Sequence, residues 1–254
     1  MVYGVKKLFG YKIRATDGSI GKVQDLYFDD AAWKARYLVA DTGGWLQGRE
    51  VLISSVSTGT PIPSERTVMV DLTMSQVETS PPVDAAKPVS RQYEERLNAH
   101  YGWPVYWLTI PAVPGGVAPM NQAAAMRAAN KSEETLLREG VETDGDPNLR
   151  SVREVTGYHI QASDGDIGHV EDFIVDTDTW MIRYMVVDTR NWLPGKKVLV
   201  AKEWIDSVDW GERSVHVRLS RNEIKDSPDF DPDEPVDREY EARLYDYYGR
   251  PKYW

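Results

Sequence analysis

The chain has 254 residues, no cysteine, 30 basic against 40 acidic side chains and a formal net charge of −10 at pH 7. This charge argues against a general nucleic-acid binder, because attraction to phosphate needs a basic surface. The lack of cysteine excludes disulfides, thiolate metal sites and a cysteine nucleophile, and it fits the reducing cytoplasm, where we expect the protein. No stretch reaches the ~18 apolar residues of a membrane-spanning helix and no secretory signal is evident, so we expect no direct membrane insertion.

The first predicted element is a β-hairpin at Asp17-Gly18, within the stretch ATDGSIGKVQDLYFDD. Asp-Gly is a strong hairpin turn, since both residues adopt positive φ readily. Gly21 interrupts the alternation of the second strand, which predicts a bulge or sharp bend. Further strands are predicted in ARYLVADT, REVLIS and TVMVDLT. Short strands with regular turns are typical of a small β-barrel or sandwich.

Two helices are predicted after the last strand. Thr73 and Gln76 form a capping-box pattern at the start of the first helix, which ends before Pro81. The second helix is predicted to begin after Ser90 as N-cap and to stop at Gly102. The closing PVYW is predicted to be an extended aromatic arm.

The whole pattern recurs after a shift of 147 residues, the separation of Asp17 from Asp164. Residues 1–107 align with residues 148–254 without a gap, which indicates a duplicated domain. We therefore predict a mainly β chain with two tandem small β-barrels, 1–107 and 148–254, each followed by short helices and an aromatic arm. A linker at 108–147 joins them and contains NQAAAMRAANKSEETLLREG, a helix candidate with little apolar face.

The linker is long enough for the two copies to pair within one chain or to exchange between two chains, and we expect them to pair within the chain. Each copy alone has a small core, so burial against the other copy would stabilise both. The arms end in bulky aromatic residues, and we expect the arm of one copy to pack on the other. The result would be a pseudo-twofold pair of barrels.

The stretch GYKIRATDGSIGKVQDLYFDDAAWKARYLVADTGGWLQGREVLI and its second copy resemble a PRC-barrel domain. That family is named for the cytoplasmic domain of the photosynthetic reaction-centre H subunit and also occurs in the ribosome maturation factor of the 16S rRNA pathway. The arm YEARLYDYYGRPKYW resembles that of stand-alone bacterial tandem PRC-barrel proteins. The resemblance implies a small adaptor that docks on partner proteins and carries no catalytic residues. The sequence shows neither the transmembrane helix of the H subunit nor the other domain of the ribosome factor.

Residues that could carry chemistry form no recognisable reaction centre. The histidines stand at no metal-ligand spacing along the sequence, and we expect surface or structural roles for His100, His159, His169 and His216. An acidic cluster in each copy matches no EF-hand loop and fits turn chemistry; its members are Asp25, Asp29 and Asp30, and Asp172, Asp176 and Asp178. We expect DFDPDEP at 229–235 to be a solvated acidic loop. No catalytic residue, cofactor or metal ligand is assigned.

Aromatic residues are abundant, with nine tryptophans and 14 tyrosines, and Trp, Tyr and Arg dominate protein-binding hot spots. The candidate partner-binding residues lie on the hairpin tips and the arms: Trp45, Leu46, Trp192, Leu193, Tyr106, Trp107, Tyr253 and Trp254. We predict a non-enzymatic protein-binding adaptor whose partner is an unidentified protein, with a homo-oligomer left open. The alternative is an accessory resembling the reaction-centre H subunit that influences electron or proton transfer. A small enzyme or ligand binder using the inter-barrel groove is a third reading.

Overall fold

The structure is a computed structural model that describes residues 2–83, 89–108, 148–189 and 196–254. It divides into two compact units, one made of Met1–Thr79 with Asn148–Trp254 and the other of Ser80–Pro147. The first unit therefore contains the strands of both copies. The linker helix candidate lies outside the described residues.

The first copy alternates short strands with tight connections. Its elements are β1 (Val2–Gly4), α1 (Val5–Leu8), β2 (Lys12–Arg14), β3 (Ser19–Asp29), β4 (Lys34–Asp41), β5 (Glu50–Ser54), 3-10 helices at Ser55–Ser57 and Pro63–Glu65, β6 (Thr67–Met69) and α2 (Met74–Glu78). The Ser80–Pro147 unit contains α3 (Arg91–Tyr101) and a 3-10 helix at Tyr106–Leu108, where the sequence had predicted an extended arm.

The second copy follows the same order with one difference, since it has an additional strand, Ile205–Asp209, before its last strand. Its elements are β7 (Leu149–Ser151), α4 (Val152–Val155), β8 (His159–Ala162), β9 (Gly165–Asp176), β10 (Met181–Asp188), β11 (Lys197–Ala201), a 3-10 helix at Lys202–Trp204, β12 (Ile205–Asp209), β13 (Ser214–Val217), α5 (Arg221–Asp226) and α6 (Arg238–Tyr247). The chain is mainly β and is built from two copies of one domain, as predicted.

The predicted hairpin is present in both copies. β2 pairs antiparallel with β3, and β8 pairs antiparallel with β9. The turn aspartates also hold the helix that follows the last strand: Oδ1 of Asp17 accepts the N–H of Met74 at 2.8 Å, and Oδ1 of Asp164 accepts that of Arg221 at 2.7 Å. Each hairpin is thereby fixed to a helix that lies 57 residues further along the chain.

The helices begin where the sequence predicts. α2 and α5 open with reciprocal capping-box hydrogen bonds, between Thr73 and Gln76 and between Ser220 and Glu223. The side chain of Ser90 caps α3 and that of Asp237 caps α6. These local signals are reliable because the cap residue and the N–H groups that it satisfies lie within one turn.

Within the described residues, the strands form one 13-stranded sheet that runs through both copies. Its main path is β12-β13-β8-β9-β10-β4-β3-β2-β6, with β11 beside β10 and β5 beside β4. The core strands β5 and β11 each bury four successive residues, so both of their faces are covered.

Each copy contributes its first strand to the sheet of the other copy. β1 pairs antiparallel with β9, with Val2 opposite Asp176. β7 pairs antiparallel with β3, with Leu149 opposite Asp29. The two pairings are equivalent under the 147-residue shift. The copies are therefore joined by reciprocal strand exchange, which the sequence did not predict.

The copies also meet directly where β4 pairs with β10. Two backbone hydrogen bonds of 2.8 Å cross this seam, accepted by the carbonyl oxygens of Trp33 and Trp180. Both tryptophans adopt positive φ, 53° and 58°. The fully buried rings of Phe28 and Phe173 have centroids 5.4 Å apart, and both pack against the ring of Trp33. The expected pseudo-twofold pair within one chain is present.

The arm of the second copy packs on its own copy, so the prediction of exchanged arms is wrong for this arm. Gly249 has φ +59°, and the N–H of Arg250 donates to the carbonyl of Tyr245 at 3.0 Å. The chain therefore reverses directly after α6. Tyr253 reaches back along that helix to Glu241. The local reversal leaves the arm facing the helix that precedes it.

Candidate protein-binding site

Of the predicted hairpin-tip residues, the structure describes Trp45 and Leu46. Both are half-buried in the turn between β4 and β5. The turn is closed at its base because Thr42 accepts the N–H of Trp45 at 3.3 Å and its hydroxyl donates to the carbonyl of Arg49 at 2.7 Å. Trp192 and Leu193 lie outside the described residues. The first hairpin tip thus presents a partly covered Trp-Leu pair.

The arm of the second copy is organised around the buried carboxylate of Glu241, which is 1% exposed. Its Oε1 accepts hydrogen bonds from the hydroxyl of Tyr184 on β10 at 2.8 Å and from that of Tyr253 at 2.7 Å. Its other oxygen pairs with the guanidinium of Arg238 at 3.0 Å. This carboxylate therefore ties the arm, α6 and the sheet together.

Arginine side chains stack on the two aromatic residues of the arm. The guanidinium of Arg238 lies 4.3 Å from the ring centroid of Trp254, and that of Arg183 lies 4.4 Å from the centroid of Tyr253. Such cation–π contacts fix the ring planes. Trp254 nevertheless remains 47% exposed. We call Arg238, Glu241, Tyr253 and Trp254 the arm cluster.

The equivalent residues form the same arrangement in the Ser80–Pro147 unit. The buried Glu94 accepts the hydroxyl of Tyr106 at 2.9 Å and pairs with Arg91 at 3.2 Å. The guanidinium of Arg91 lies 4.1 Å from the ring centroid of Trp107. All four residues are equivalent to the arm cluster under the 147-residue shift. The cluster is thus a feature of both copies.

Tyr184 on β10 and Tyr253 in the arm both donate a hydrogen bond to Glu241. Burial, together with the hydrogen bond to Glu241, raises the pKa of Tyr184 and that of Tyr253 above the usual value for a phenol. Both hydroxyls therefore keep their protons at neutral pH and donate to the carboxylate. The cluster is held by hydrogen bonds to a charged acceptor, which are stronger than neutral ones.

The predicted acidic clusters serve the fold. Asp29 accepts the N–H groups of the turn that follows β3 and pairs with Arg36 at 2.7 Å. Asp176 does the same after β9, with Arg183 at 3.1 Å. Within the described parts of the chain, no group of three or more His, Cys, Asp or Glu side chains could hold a metal ion. Turn chemistry, as predicted, accounts for Asp29 and Asp176.

Asp25 and Asp172 hold the exchanged segments. Asp172 accepts the N–H of Lys6 in α1 at 3.0 Å, and Asp25 accepts the hydroxyl of Ser151 and the N–H of Arg153 in α4. Burial raises the pKa of Asp172 to about 6 and also raises that of Asp25. Since each carboxylate accepts hydrogen bonds from the other copy, both lie at the junction between the two copies.

The acidic loop at 229–235 forms a wall of a cleft of about 390 Å³. Its acidic side chains are exposed, as expected, while Phe230 is buried and its N–H donates to the carbonyl of Lys197 at 2.8 Å. Tyr240 and Arg243 complete the lining. The charged side chains of the lining are mostly carboxylates: Asp229, Asp231, Glu234 and Asp237, with Lys197 and Arg243 as the two cations.

The model of the PRC-barrel domain family matches two segments, residues 1–74 and 147–222. The chain belongs to the PRC-barrel family. The matched segments cover the strands of both copies, so this is a tandem PRC-barrel protein, as its resemblance implied. A search of curated proteins found no match. Within the described residues, every helix of this PRC-barrel protein is too short or too polar to span a bilayer.

The family match ends before the arms of the PRC-barrel protein. α3 and α6 both lie beyond the matched segments, together with Tyr106, Trp107, Tyr253 and Trp254. These aromatic residues were predicted from the sequence, whereas the Arg-Glu pairs that hold them were not. The sequence does contain a signal for these Arg-Glu pairs, because RQYE and REYE occupy equivalent positions at the start of the two helices.

Proposed function

We propose that this tandem PRC-barrel protein is a non-enzymatic adaptor that binds a partner protein through its aromatic arms. The observation that carries the proposal is the arm cluster of the second copy. Trp254 is 47% exposed, yet its ring is stacked on Arg238, whose partner Glu241 is buried. An exposed and fixed Trp-Arg pair has the composition of a protein-binding hot spot.

Pre-organisation favours this surface over the hairpin tip. An aromatic side chain that is already fixed in the free protein loses little conformational entropy on binding, so more of its contact energy contributes to affinity. Tyr253 and Trp254 are held by a carboxylate and two guanidinium groups. Removal of a hot-spot side chain costs about 2 kcal/mol or more, which is roughly a 30-fold loss of affinity.

The net charge of −10 favours a protein partner over nucleic acid. The lack of cysteine is compatible with the cytoplasm, where we place the protein. The second reading, an accessory of electron or proton transfer like the reaction-centre H subunit, rests on the family resemblance, and the described residues offer no observation that favours it.

The test is affinity capture of the tagged full-length chain from the lysate of its host, followed by binding measurements with the captured protein in purified form. Three variants are compared with the wild type: Trp254→Ala in the arm, Trp45→Ala in the hairpin tip, and Tyr247→Ala as a control. Tyr247 is also an aromatic residue near the C-terminus with 41% exposure, but it lies outside the arm cluster.

We expect Trp254→Ala to weaken binding by at least about 30-fold and Tyr247→Ala to change it by less than about threefold. Circular dichroism would check that each variant is folded. Equal binding of the wild type and Trp254→Ala would refute the arm as the binding surface. A loss confined to Trp45→Ala would instead place the contact on the hairpin tip.

A further inference from the structure

Two histidines that are ten residues apart in the sequence lie side by side on the sheet of the second copy. His159 on β8 is directly opposite His169 on β9. The N–H of Val170 donates to the carbonyl of Tyr158 at 2.8 Å, which makes the histidine pair the non-hydrogen-bonded kind. Side chains in such pairs are the closest cross-strand neighbours. Their imidazole centroids are 4.9 Å apart, with ring planes inclined by 45°.

Both rings are accessible to an ion from solvent. His159 is exposed and His169 is half-buried. They lie on the face opposite the core, since Ile160, next to His159 on β8, and Val170, next to His169 on β9, are both buried. On the neighbouring strand β13, His216 is close to Ser214, with Nε2 and the hydroxyl 3.3 Å apart. This face of the second copy is therefore rich in imidazole.

The separation of the two rings fits simultaneous coordination of one ion. With a metal–nitrogen bond of about 2.0–2.1 Å, an ion in the plane of an imidazole lies about 3.2 Å from the ring centroid. Two centroids 4.9 Å apart then subtend about 100° at the ion. This angle lies between the ~90° of neighbouring square-planar ligands and the ~109° of tetrahedral ligands.

We propose that His159 and His169 form a two-histidine binding site for a late first-row divalent metal ion such as Cu²⁺, Ni²⁺ or Zn²⁺. Imidazole nitrogen is a preferred ligand of these ions and a poor one for Mg²⁺ or Ca²⁺. The described residues contain no group of three metal ligands, so the pair supplies two donors and water completes the coordination sphere. The spacing of the two histidines along the sequence matches no metal-binding motif. The hairpin at Asp164 brings them together in the fold.

The first copy provides a natural comparison. Lys12 and Lys22 occupy the equivalent positions and are also directly opposite each other. A lysine ammonium group offers no lone pair to a metal ion, so these two equivalent positions provide no such site. The shared register means that the same pair of histidines can be built on the same backbone geometry in the first copy.

The test uses the metal-free full-length chain, titrated calorimetrically with CuCl2 because Cu²⁺ has the highest affinity of the divalent series for such ligands. Electron paramagnetic resonance of the copper complex would detect the coordinating imidazole nitrogens. We expect His159→Asn and His169→Asn each to weaken binding by about tenfold to 100-fold, since each removes one of two protein ligands. His100→Asn, an exposed histidine on α3, is the control and should leave the affinity unchanged.

A gain-of-function variant completes the test. The double substitution Lys12→His with Lys22→His should add a second copper site of similar affinity, visible as a doubled stoichiometry. Circular dichroism would detect unfolding of any variant. We expect every variant of the strands to fold, because the substituted side chains lie on the face of the sheet opposite the core. Wild-type affinity in both His159→Asn and His169→Asn, or no copper binding by the wild type, would overturn the proposal.

Discussion

Gly168 allows β9 to approach the end of β10 closely. A Cβ built there would lie 2.0 Å from the backbone oxygen of Asp188, and the residue has φ +139°. The neighbouring atom belongs to the backbone of β10, so it cannot rotate away as a flexible side chain would. Gly21 has the same close contact with Asp41 in the first copy. The absence of a side chain at these positions allows the strands to approach.

We expect Gly168→Ala to lower the free energy of unfolding by about 3 kcal/mol or more, because backbone strain and steric overlap add. The matched control is Gly157→Ala, where φ is also positive at +96° but a Cβ would meet nothing within 4 Å. That change should cost only about 1–2 kcal/mol. Urea denaturation of both variants gives the comparison. Equal losses of unfolding free energy in the two variants would show that the backbone around Asp188 moves to accommodate the added Cβ without further cost.

Asp172 makes stability depend on pH. Its pKa is raised from 3.8 to about 6 in the folded protein, chiefly by burial. Between those pH values the folded state binds more protons than the unfolded state, so this residue's contribution to stability is complete below pH 3.8 and is lost as the pH rises through about 6. The carboxylate then remains charged within the junction between the copies.

Asp172→Asn should remove this dependence, because an amide retains an oxygen acceptor for the N–H of Lys6 and does not ionise. We expect the free energy of unfolding of the variant, measured relative to the wild type, to rise between about pH 4 and about pH 7. Urea denaturation at a series of pH values measures the difference. A difference that stays constant across this range would contradict the assignment.

At the scale of elements, the exchanged segments are the parts that hold the two copies together. β7 and α4 meet at Ser151, whose side chain accepts the N–H of Glu154 at 3.1 Å as the helix cap. The same hydroxyl donates to Asp25 of the other copy. One side chain thus joins a helix start to a partner 126 residues away. In the first copy, Gly4 occupies this position and has no capping side chain.

Ser151→Ala should therefore destabilise the protein by about 2 kcal/mol, since it removes a helix cap and leaves a buried carboxylate without one of its donors. Ser207→Ala on β12 is the control, because Ser207 is exposed and a surface change costs less than about 0.5 kcal/mol. Thermal denaturation of the three proteins measures both effects. Equal melting temperatures for Ser151→Ala and the wild type would argue against this role.

The elements differ in how far the sequence alone predicts them. Asp17-Gly18, the capping boxes and the N-caps Ser90 and Asp237 are local signals, and all are present in the structure. β1 and β7 have only three residues each, too few for a period of two to be visible, and their partners lie more than 100 positions away. The arm residues were identified by composition, whereas Glu241 became evident only when the fold brought Tyr184 beside it.

At the scale of the whole molecule, the strands of the two copies form a pseudo-symmetric pair within one chain. β1 on β9 matches β7 on β3, and the seam between β4 and β10 pairs Lys34 with its own equivalent, Met181. Every one of these contacts between the copies could form equally between two identical chains. Joining the copies allows them to diverge, as Lys12 and His159 have done at one position of the shared fold.

This symmetry predicts the behaviour of the isolated second copy. A fragment of residues 148–254 leaves β7 without β3, and β9 without β1. In a dimer of two such fragments, the β7 of each molecule can pair with the β9 of the other, so that neither strand is left unpaired. We expect a homodimer by sedimentation equilibrium at micromolar concentration, and a single concentration-dependent unfolding transition. A stable folded monomer would show that the exchange is dispensable.

Reciprocal exchange also imposes an order on events at the ribosome. The edge of β3 is made early, but the strand that covers it, Leu149–Ser151, is synthesised about 120 residues later, which takes on the order of ten seconds. During that interval the nascent first copy presents an unpaired strand edge to its surroundings. Neighbouring nascent chains on one messenger RNA carry the same edge and, further on, the same covering strand. Spacing between ribosomes therefore influences whether a chain completes itself or pairs with its neighbour.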